Sequence, residues 1–277
     1  YVDSVRGNYS AVQILTNGYK LTPEQIDAFA GMGNVYFQIS LDGTTQETNR
    51  ARTPNGRITE KVVENIRRIS EKGMPIEINC VLTLHNTDSF ETMLEDLKGI
   101  DDLVIIPRPV RGGGRPLWDF TSEQLEAFRR VVTEQYEEYM SILPPKPYLD
   151  RLVAMMAKGH RSDSCFVPFF VQGVDNYGNA ETCSCGSTMP LLGNVIEDAT
   201  EVFDKHRAGT NYDPEARYED CSYCMTQYEL MNLYTEGLIT REDMLRIPSF
   251  RFAGVIEEVD NIKTRLLENG TATEALS

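Results

Sequence analysis

A barrel-like α/β fold built on parallel strands is what this sequence predicts, and three observations predict it. Four short apolar runs rich in β-branched and aromatic residues alternate with amphipathic helical stretches between residue 11 and residue 106. The runs lie about 25–40 residues apart, the spacing that parallel strands with helical crossovers need. The second run carries a polar row on one side; an open sheet covered on both faces would bury that row at a cost, whereas a barrel can turn it toward a wet interior. An edge strand with solvated polar residues would show the same alternation.

The strands are predicted over 12–16, 35–41, 76–83 and 103–106. After the first, Thr22-Pro23-Glu24-Gln25 combines an N-cap, a proline at the first helical position and a capping-box glutamine, so a helix starts there. In the second strand a period of two sends Val35, Phe37, Ile39 and Leu41 to one face and Gln38, Ser40 and Asp42 to the other. Ile58, Val62, Ile66 and Ile69 then recur at helical spacing as one apolar stripe, which Gly73 can end in a left-handed cap. Beyond the fourth strand, Arg108, Arg111 and Arg115 flank a glycine triplet, where they suit a carboxylate or phosphate and equally a solvated loop. A long helix is predicted over 121–142, opened by a Thr121/Gln124 box. Pro144-Pro145-Lys146-Pro147 stops it and marks a domain boundary, giving units over 1–143 and 148–277. The second unit reads as a helix over 149–158, a hairpin around Asp175-Asn176-Tyr177-Gly178, a loop-rich cysteine region, and helices near 225–234, 241–247 and 255–267.

The 277 residues can bury one large core or two smaller ones. Asp and Glu number 42 against 27 Lys and Arg, a net charge of -15 that repels a phosphate backbone and argues against nucleic acid. Neither an apolar run long enough to span a bilayer nor a basic-then-apolar leader occurs, so a soluble, cytoplasmic protein with no membrane partner is expected. Cys165, Cys183, Cys185, Cys221 and Cys224 crowd the last two-fifths of the chain, which in a reducing compartment reads as metal ligation rather than disulfides. A Cys₄ zinc site, drawn for instance from Cys183, Cys185, Cys221 and Cys224, and an iron–sulfur cluster both fit. Either would hold a loop-rich region together, structural zinc contributing on the order of 10 kcal/mol to folding. Cys80, in an apolar strand, reads as a buried small hydrophobe, Asp175 as a turn former, and His85, His160 and His206 form no spacing motif.

Thr16-Asn17-Gly18 closing the first strand, Ser40-Leu41-Asp42-Gly43 closing the second, and Arg52 twelve residues after the serine resemble the third and fourth strands of the radical S-adenosylmethionine (radical SAM) barrel in its SPASM and twitch subfamilies. Cys165, then Gly178 after twelve residues and Cys183 after four more, is similar to the first half of the SPASM cysteine pattern, and Cys221-Ser222-Tyr223-Cys224 to the CxxC that follows. The resemblance covers most of the chain. Six and ten residues past the CxxC, where a full SPASM domain has cysteines, stand Leu230 and Tyr234. That departure implies one auxiliary cluster of the twitch kind, with Cys185 a spare or a substitute ligand. The family's CxxxCxxC loop and GGE-type segment do not occur among the 277 residues. Two βα units are therefore expected upstream of Tyr1, and the chain alone is expected to be inactive.

The resemblance implies a partial (β/α)6 TIM-like barrel of about four βα units followed by a small α+β auxiliary iron–sulfur domain. It implies an oxidoreductase whose whole form cleaves SAM at a second [4Fe–4S] cluster to a 5′-deoxyadenosyl radical, which takes a hydrogen atom from a peptide or small-molecule substrate. Ser40 and Arg52 would contact the SAM ribose and carboxylate, and Asp42 and Asn17 would support that end of the barrel. Cys165, Cys183, Cys221 and Cys224 would hold an auxiliary [4Fe–4S] cluster that passes electrons or orients the substrate. A flavodoxin or ferredoxin would be the electron donor. Two readings without radical chemistry stand beside this one: a zinc-stabilised TIM-like enzyme or binding module, and a non-catalytic module that grips a peptide or partner.

Overall fold

The four predicted strands line up as one parallel sheet in the computed structural model, which describes residues 2–110, 120–183, 191–209, 212, 221 and 224–272. Its strands are β1 (Val12–Thr16), β2 (Val35–Ser40), β3 (Ile76–Leu82) and β4 (Leu103–Pro109), adjacent in chain order. Register pairs Leu15 with Gln38, Gln38 with Glu77, and Ser40 with Asn79. Because partners in register share a face, the polar row of β2 continues onto β3 as Glu77 and Asn79. The opposite face, with Phe37 and Ile39 fully buried, packs under helices.

A single helical turn, α1 (Val2–Val5), precedes β1. The helix α2 (Pro23–Ala30) starts at the Thr22–Gln25 box, both of whose reciprocal bonds form, and its Phe29 ring meets Phe37 edge-on at 5.5 Å. The apolar stripe of α3 (Gly56–Glu71) buries Val62, Ile66 and Ile69. Gly73, at φ 67°, ends it: the Gly73 N–H donates to the Ser70 carbonyl at 2.8 Å and the Met74 N–H to that of Ile69 at 3.3 Å, the paired bonds of a Schellman cap. After α4 (Phe90–Leu97) and β4, the expected long helix is broken. It divides into α5 (Ser122–Arg129), a π turn over Arg130–Glu134 in which the Gln135 N–H reaches the Arg130 carbonyl at 3.1 Å, and α6 (Tyr136–Tyr139). The β-branched run Val131-Val132-Thr133 lies in that turn, and the Thr133 hydroxyl donates to the Arg129 carbonyl at 2.7 Å; crowding and side-chain competition both loosen a regular helix there.

The helix α7 (Lys146–Lys158) begins earlier than predicted because Pro147 sits within its first turn, where a missing N–H costs nothing. The outer edge of β4 is covered: the Ile105 N–H donates to the Ile142 carbonyl at 2.8 Å, and the Tyr148 hydroxyl to the Pro107 carbonyl at 2.9 Å. By contrast β1 pairs on one side only among the described residues, and its Leu15 is 68 % exposed.

Beyond α8 (Val167–Phe170) lies a small antiparallel sheet of β5 (Gly173–Val174), β6 (Asn179–Glu181) and β7 (Leu191–Asn194), whose first two strands form the predicted hairpin. The helix α9 (Val195–Arg207) was expected as loop; Asn194 caps it through its side chain. The last helices, α10 (Glu229–Thr235), α11 (Arg241–Leu245) and α12 (Ala253–Glu268), fall near their predicted places. One apolar cluster runs from Ile26 to Val259. The turn Pro248–Phe250 and Phe252 lie against the polar face of the sheet, where the Tyr36 and Phe252 rings stand 5.6 Å apart. Arg111, Arg115 and Cys185 lie outside the described residues.

Candidate functional site

Parallel sheets place their sites at the carboxyl ends of the strands, and there Asp42 is the anchor. Its carboxylate accepts from the Arg52 guanidinium at 2.7 Å and from the Val81 N–H at 2.9 Å, while its own N–H donates to the Asn49 side chain at 3.0 Å. Asn86 closes the far side, donating to the Asp42 carbonyl at 2.7 Å. The ends of β2 and β3 and the turn carrying Arg52 are thereby tied together. Asp42 is buried and Arg52 is partly exposed, so the guanidinium keeps donors free for an incoming anion. Ser40 lies on the polar face, half-buried. Asn17 closes an Asx turn, its side chain accepting from the Tyr19 N–H at 3.2 Å, and Gly18 behind it, at φ 72°, offers its carbonyl to Asn65 at 2.7 Å.

Deeper on the same face sits a feature that the sequence analysis missed. The Glu77 carboxylate, fully buried, accepts from the Gln13 and Gln38 side-chain amides at 3.3 and 3.2 Å and from the Ser249 N–H at 2.8 Å. Burial raises its pKa above the ordinary carboxylate value despite these donors. The alternation Ile76-Glu77-Ile78-Asn79-Cys80 carried the signal, the same period of two already visible in β2.

The second locality gathers the cysteines. Cys165, Cys183, Cys221 and Cys224 all line one narrow cavity, with Arg161, Val167, Thr226 and Glu229 completing its wall. All four are free thiols, and the Cys224 N–H donates to the Cys221 carbonyl at 3.1 Å. The Tyr212 hydroxyl donates to the Cys165 carbonyl at 2.8 Å. Burial pushes the Cys165 thiol above its usual range, with the Arg161 charge pulling the other way. Among the described residues no group of three or more His, Cys, Asp or Glu side chains is spaced to hold one metal ion. Cys80 is fully buried in β3, and Asp175 accepts from the Tyr177 and Asn179 N–H groups at 2.8 and 2.9 Å, as a turn former does.

Around the cavity runs a buried charge network that no local pattern announced. The Glu229 carboxylate takes Arg151 on one oxygen at 2.6 Å and Arg161 on the other at 2.8 Å. Asn232 also donates to Glu229, at 2.8 Å. Arg151, on α7, extends to Glu236 at 2.6 Å.

Comparison with known proteins finds similarity over part of the chain. Residues 5–97 match the profile of the Radical SAM superfamily. Over 83 residues the chain is 32 % identical to the PqqA peptide cyclase of Ruegeria pomeroyi, a match covering 30 % of this chain and 22 % of that protein. It is 32 % identical over 96 residues to the mycofactocin maturase MftC of Mycobacterium tuberculosis, covering 33 % and 24 %. It is 22 % identical over 130 residues to the sporulation killing factor maturation protein SkfB of Bacillus subtilis, covering 47 % and 31 %. The matched stretches thus span less than a third of these relatives. Among solved structures, native anSMEcpe with bound AdoMet superposes with a TM-score of 0.54 at 14 % identity, over 91 % of this chain and 76 % of that one. Streptococcus suis SuiB bound to S-adenosylmethionine gives 0.51 at 12 % identity, over 79 % and 56 %. These likenesses show the fold, an α/β architecture built on a parallel sheet.

Proposed function

We propose, from the match of residues 5–97 to the Radical SAM superfamily profile, that the chain is part of a radical SAM oxidoreductase acting on a peptide, with an auxiliary [4Fe–4S] cluster on Cys165, Cys183, Cys221 and Cys224. The observation that carries this reading is the meeting of those four cysteines, from separate stretches of sequence, around one cavity. A peptide is preferred to a small molecule because the relatives include a peptide cyclase and maturation proteins. The barrel unit is taken as 1–143 and the cluster unit as 148–277, joined by the apolar cluster that α7 and α10 share with the sheet.

The residues fit both groups. At the strand ends, Arg52 is braced by Asp42 and keeps guanidinium donors for the carboxylate of SAM. Ser40 offers a hydroxyl on the inward face for the ribose, while Asn17 and Asp42 shape the loops on either side. At the cavity, four thiols and a flanking guanidinium suit an anionic iron–sulfur group. One zinc ion would draw its thiolates to about 2.3 Å from a single centre. A cluster takes each thiolate on a different iron, and the combined motifs, a CxxC with two further cysteines spaced around Gly178, favour it over zinc. When bound, such a cluster supplies one-electron chemistry. The chain's contribution is to hold the thiolates in a narrow cavity flanked by the Arg161–Glu229 pair and to seat SAM at the open strand ends.

Anaerobic reconstitution of the 277-residue chain with ferrous iron and sulfide tests the proposal. A brown protein with about four irons per chain is expected, with most of that iron lost in Cys165→Ala and in Cys224→Ala. A colourless chain that takes up zinc alone would overturn the cluster, and unchanged iron in either variant would remove that cysteine from the ligand set. Because the CxxxCxxC sequence is absent from these residues, the reconstituted chain is expected to release no 5′-deoxyadenosine from SAM; release would refute its inactivity. In the whole enzyme, fed by a flavodoxin or ferredoxin, Ser40→Ala and Arg52→Gln should weaken SAM binding.

A further inference from the structure

The cysteine cavity has a support that the four thiols do not explain. Glu229, only 1 % exposed, stands at the start of α10 with both carboxylate oxygens occupied by arginines from different segments. Arg161, 7 % exposed, spends its remaining donors on the backbone of the two cysteine stretches. It donates to the Cys224 carbonyl at 3.3 Å, to the Ser164 carbonyl at 2.9 Å and to the Asp163 carbonyl at 3.2 Å. Asn232, fully buried one turn along α10 from Glu229, accepts from the Phe166 N–H at 2.7 Å and points its amide N–H at the Cys165 sulfur, 4.0 Å away. Thus one buried carboxylate fixes a cation that binds the Cys224 stretch and an amide that faces Cys165.

Burying an arginine and a carboxylate is expensive unless each is paired and fully hydrogen-bonded. A purely structural tie between two loops could be made more cheaply with apolar side chains, as buried ion pairs often can be replaced by packing. What apolar packing cannot supply is a fixed positive charge and an N–H donor facing sulfur. Those two features stabilise the more negative, reduced form of an iron–sulfur group and raise its reduction potential.

We propose that Arg161 and Asn232, both held by Glu229, are positioning residues that raise the reduction potential of the cluster carried by Cys165, Cys183, Cys221 and Cys224. The proposal rests on the assignment of those cysteines made above. Arg161 also fixes the backbone of both cysteine stretches, so its charge and its bonds separate under substitution. Arg161→Lys keeps the charge and loses the fork, whereas Arg161→Gln loses the charge.

The test is a dithionite titration of the iron-loaded 277-residue chain, one electron entering per cluster, followed by electron paramagnetic resonance. Arg161→Gln and Asn232→Ala should each lower the midpoint, cutting the ratio of reduced to oxidised cluster at a fixed poise by about tenfold, equivalent to about 59 mV for a one-electron couple. Arg161→Lys should hold less iron than the parent yet titrate near its midpoint. Should Arg161→Gln fail to fold, Asn232→Ala alone carries the measurement. Parent and variants titrating together, with iron loaded in all, would overturn this proposal and leave the cysteine assignment standing. A parent chain that loads no iron would sink the assignment, and this inference with it.

Discussion

Glu77 is the residue whose chemistry departs furthest from its surface habit. A carboxylate with three neutral donors and no cation is held in the sheet interior, and burial raises its pKa from the usual 4.5. The sign follows from linkage: the folded chain binds this proton more tightly than the unfolded chain does. The stability it contributes is complete below the unfolded value and is lost as pH rises through the folded one. Glu77→Gln should therefore flatten the fall in stability as pH rises above the usual carboxylate value, read as the chemical-denaturation midpoint against pH. A variant as pH-dependent as the parent would show that Glu77 titrates normally. Single residues also show where sequence stops being informative. Asp42 and Ser40 were legible because a period of two exposed them, whereas the link of Glu229 to Arg151 and Arg161 joins residues more than 60 positions apart and leaves no periodic trace.

At the scale of elements, local chemistry decided most boundaries. The Thr22 and Thr121 boxes and the Gly73 cap are formed as the sequence announces them, since each depends only on residues within one turn. The break inside 121–142 was not read, although Val131-Val132-Thr133 marked it, because an opening box and an apolar pattern outvoted three β-branched residues. The helix α9 was missed for the opposite reason: it buries only Val202, so no stripe betrays it. Glycines offer a quantitative check. A Cβ on Gly18, at φ 72°, would stand 3.2 Å from the Ile39 side chain, whereas one on Gly73, at φ 67°, meets nothing within 4 Å. Both alanine variants incur the left-handed backbone penalty of about 1–2 kcal/mol, but only Gly18→Ala must also displace a packed core residue. Urea denaturation should rank Gly18→Ala as the more damaging; equal losses would mean that Ile39 yields freely.

For the whole molecule, the large apolar cluster spans the sheet, α7 and the last helices, while among the described residues the cysteine region has two small satellites of buried residues. The proline stretch at 144–147 suggested a boundary from chain stiffness alone; which surfaces then meet across it is a property of packing that no local rule encodes. If the cluster binds where proposed, it substitutes for core in the weaker region. Hydrogen exchange on apo and iron-loaded chains should show protection rising over 161–183 and 224–235 on loading, with β2 and β3 unchanged. Uniform protection in both states would mean that the cavity is rigid without metal.

One margin of the sheet has a practical consequence. β4 is sealed by the chain at Ile142 and Tyr148, but among the described residues β1 pairs on one side only, and its Leu15 is bare. An extended segment of matching alternation can zip onto it, and in a concentrated solution the nearest supply is another copy of the same strand. The isolated chain is expected to self-associate as concentration rises, and Leu15→Lys to suppress this in sedimentation velocity by planting a charge that a docking strand would have to desolvate.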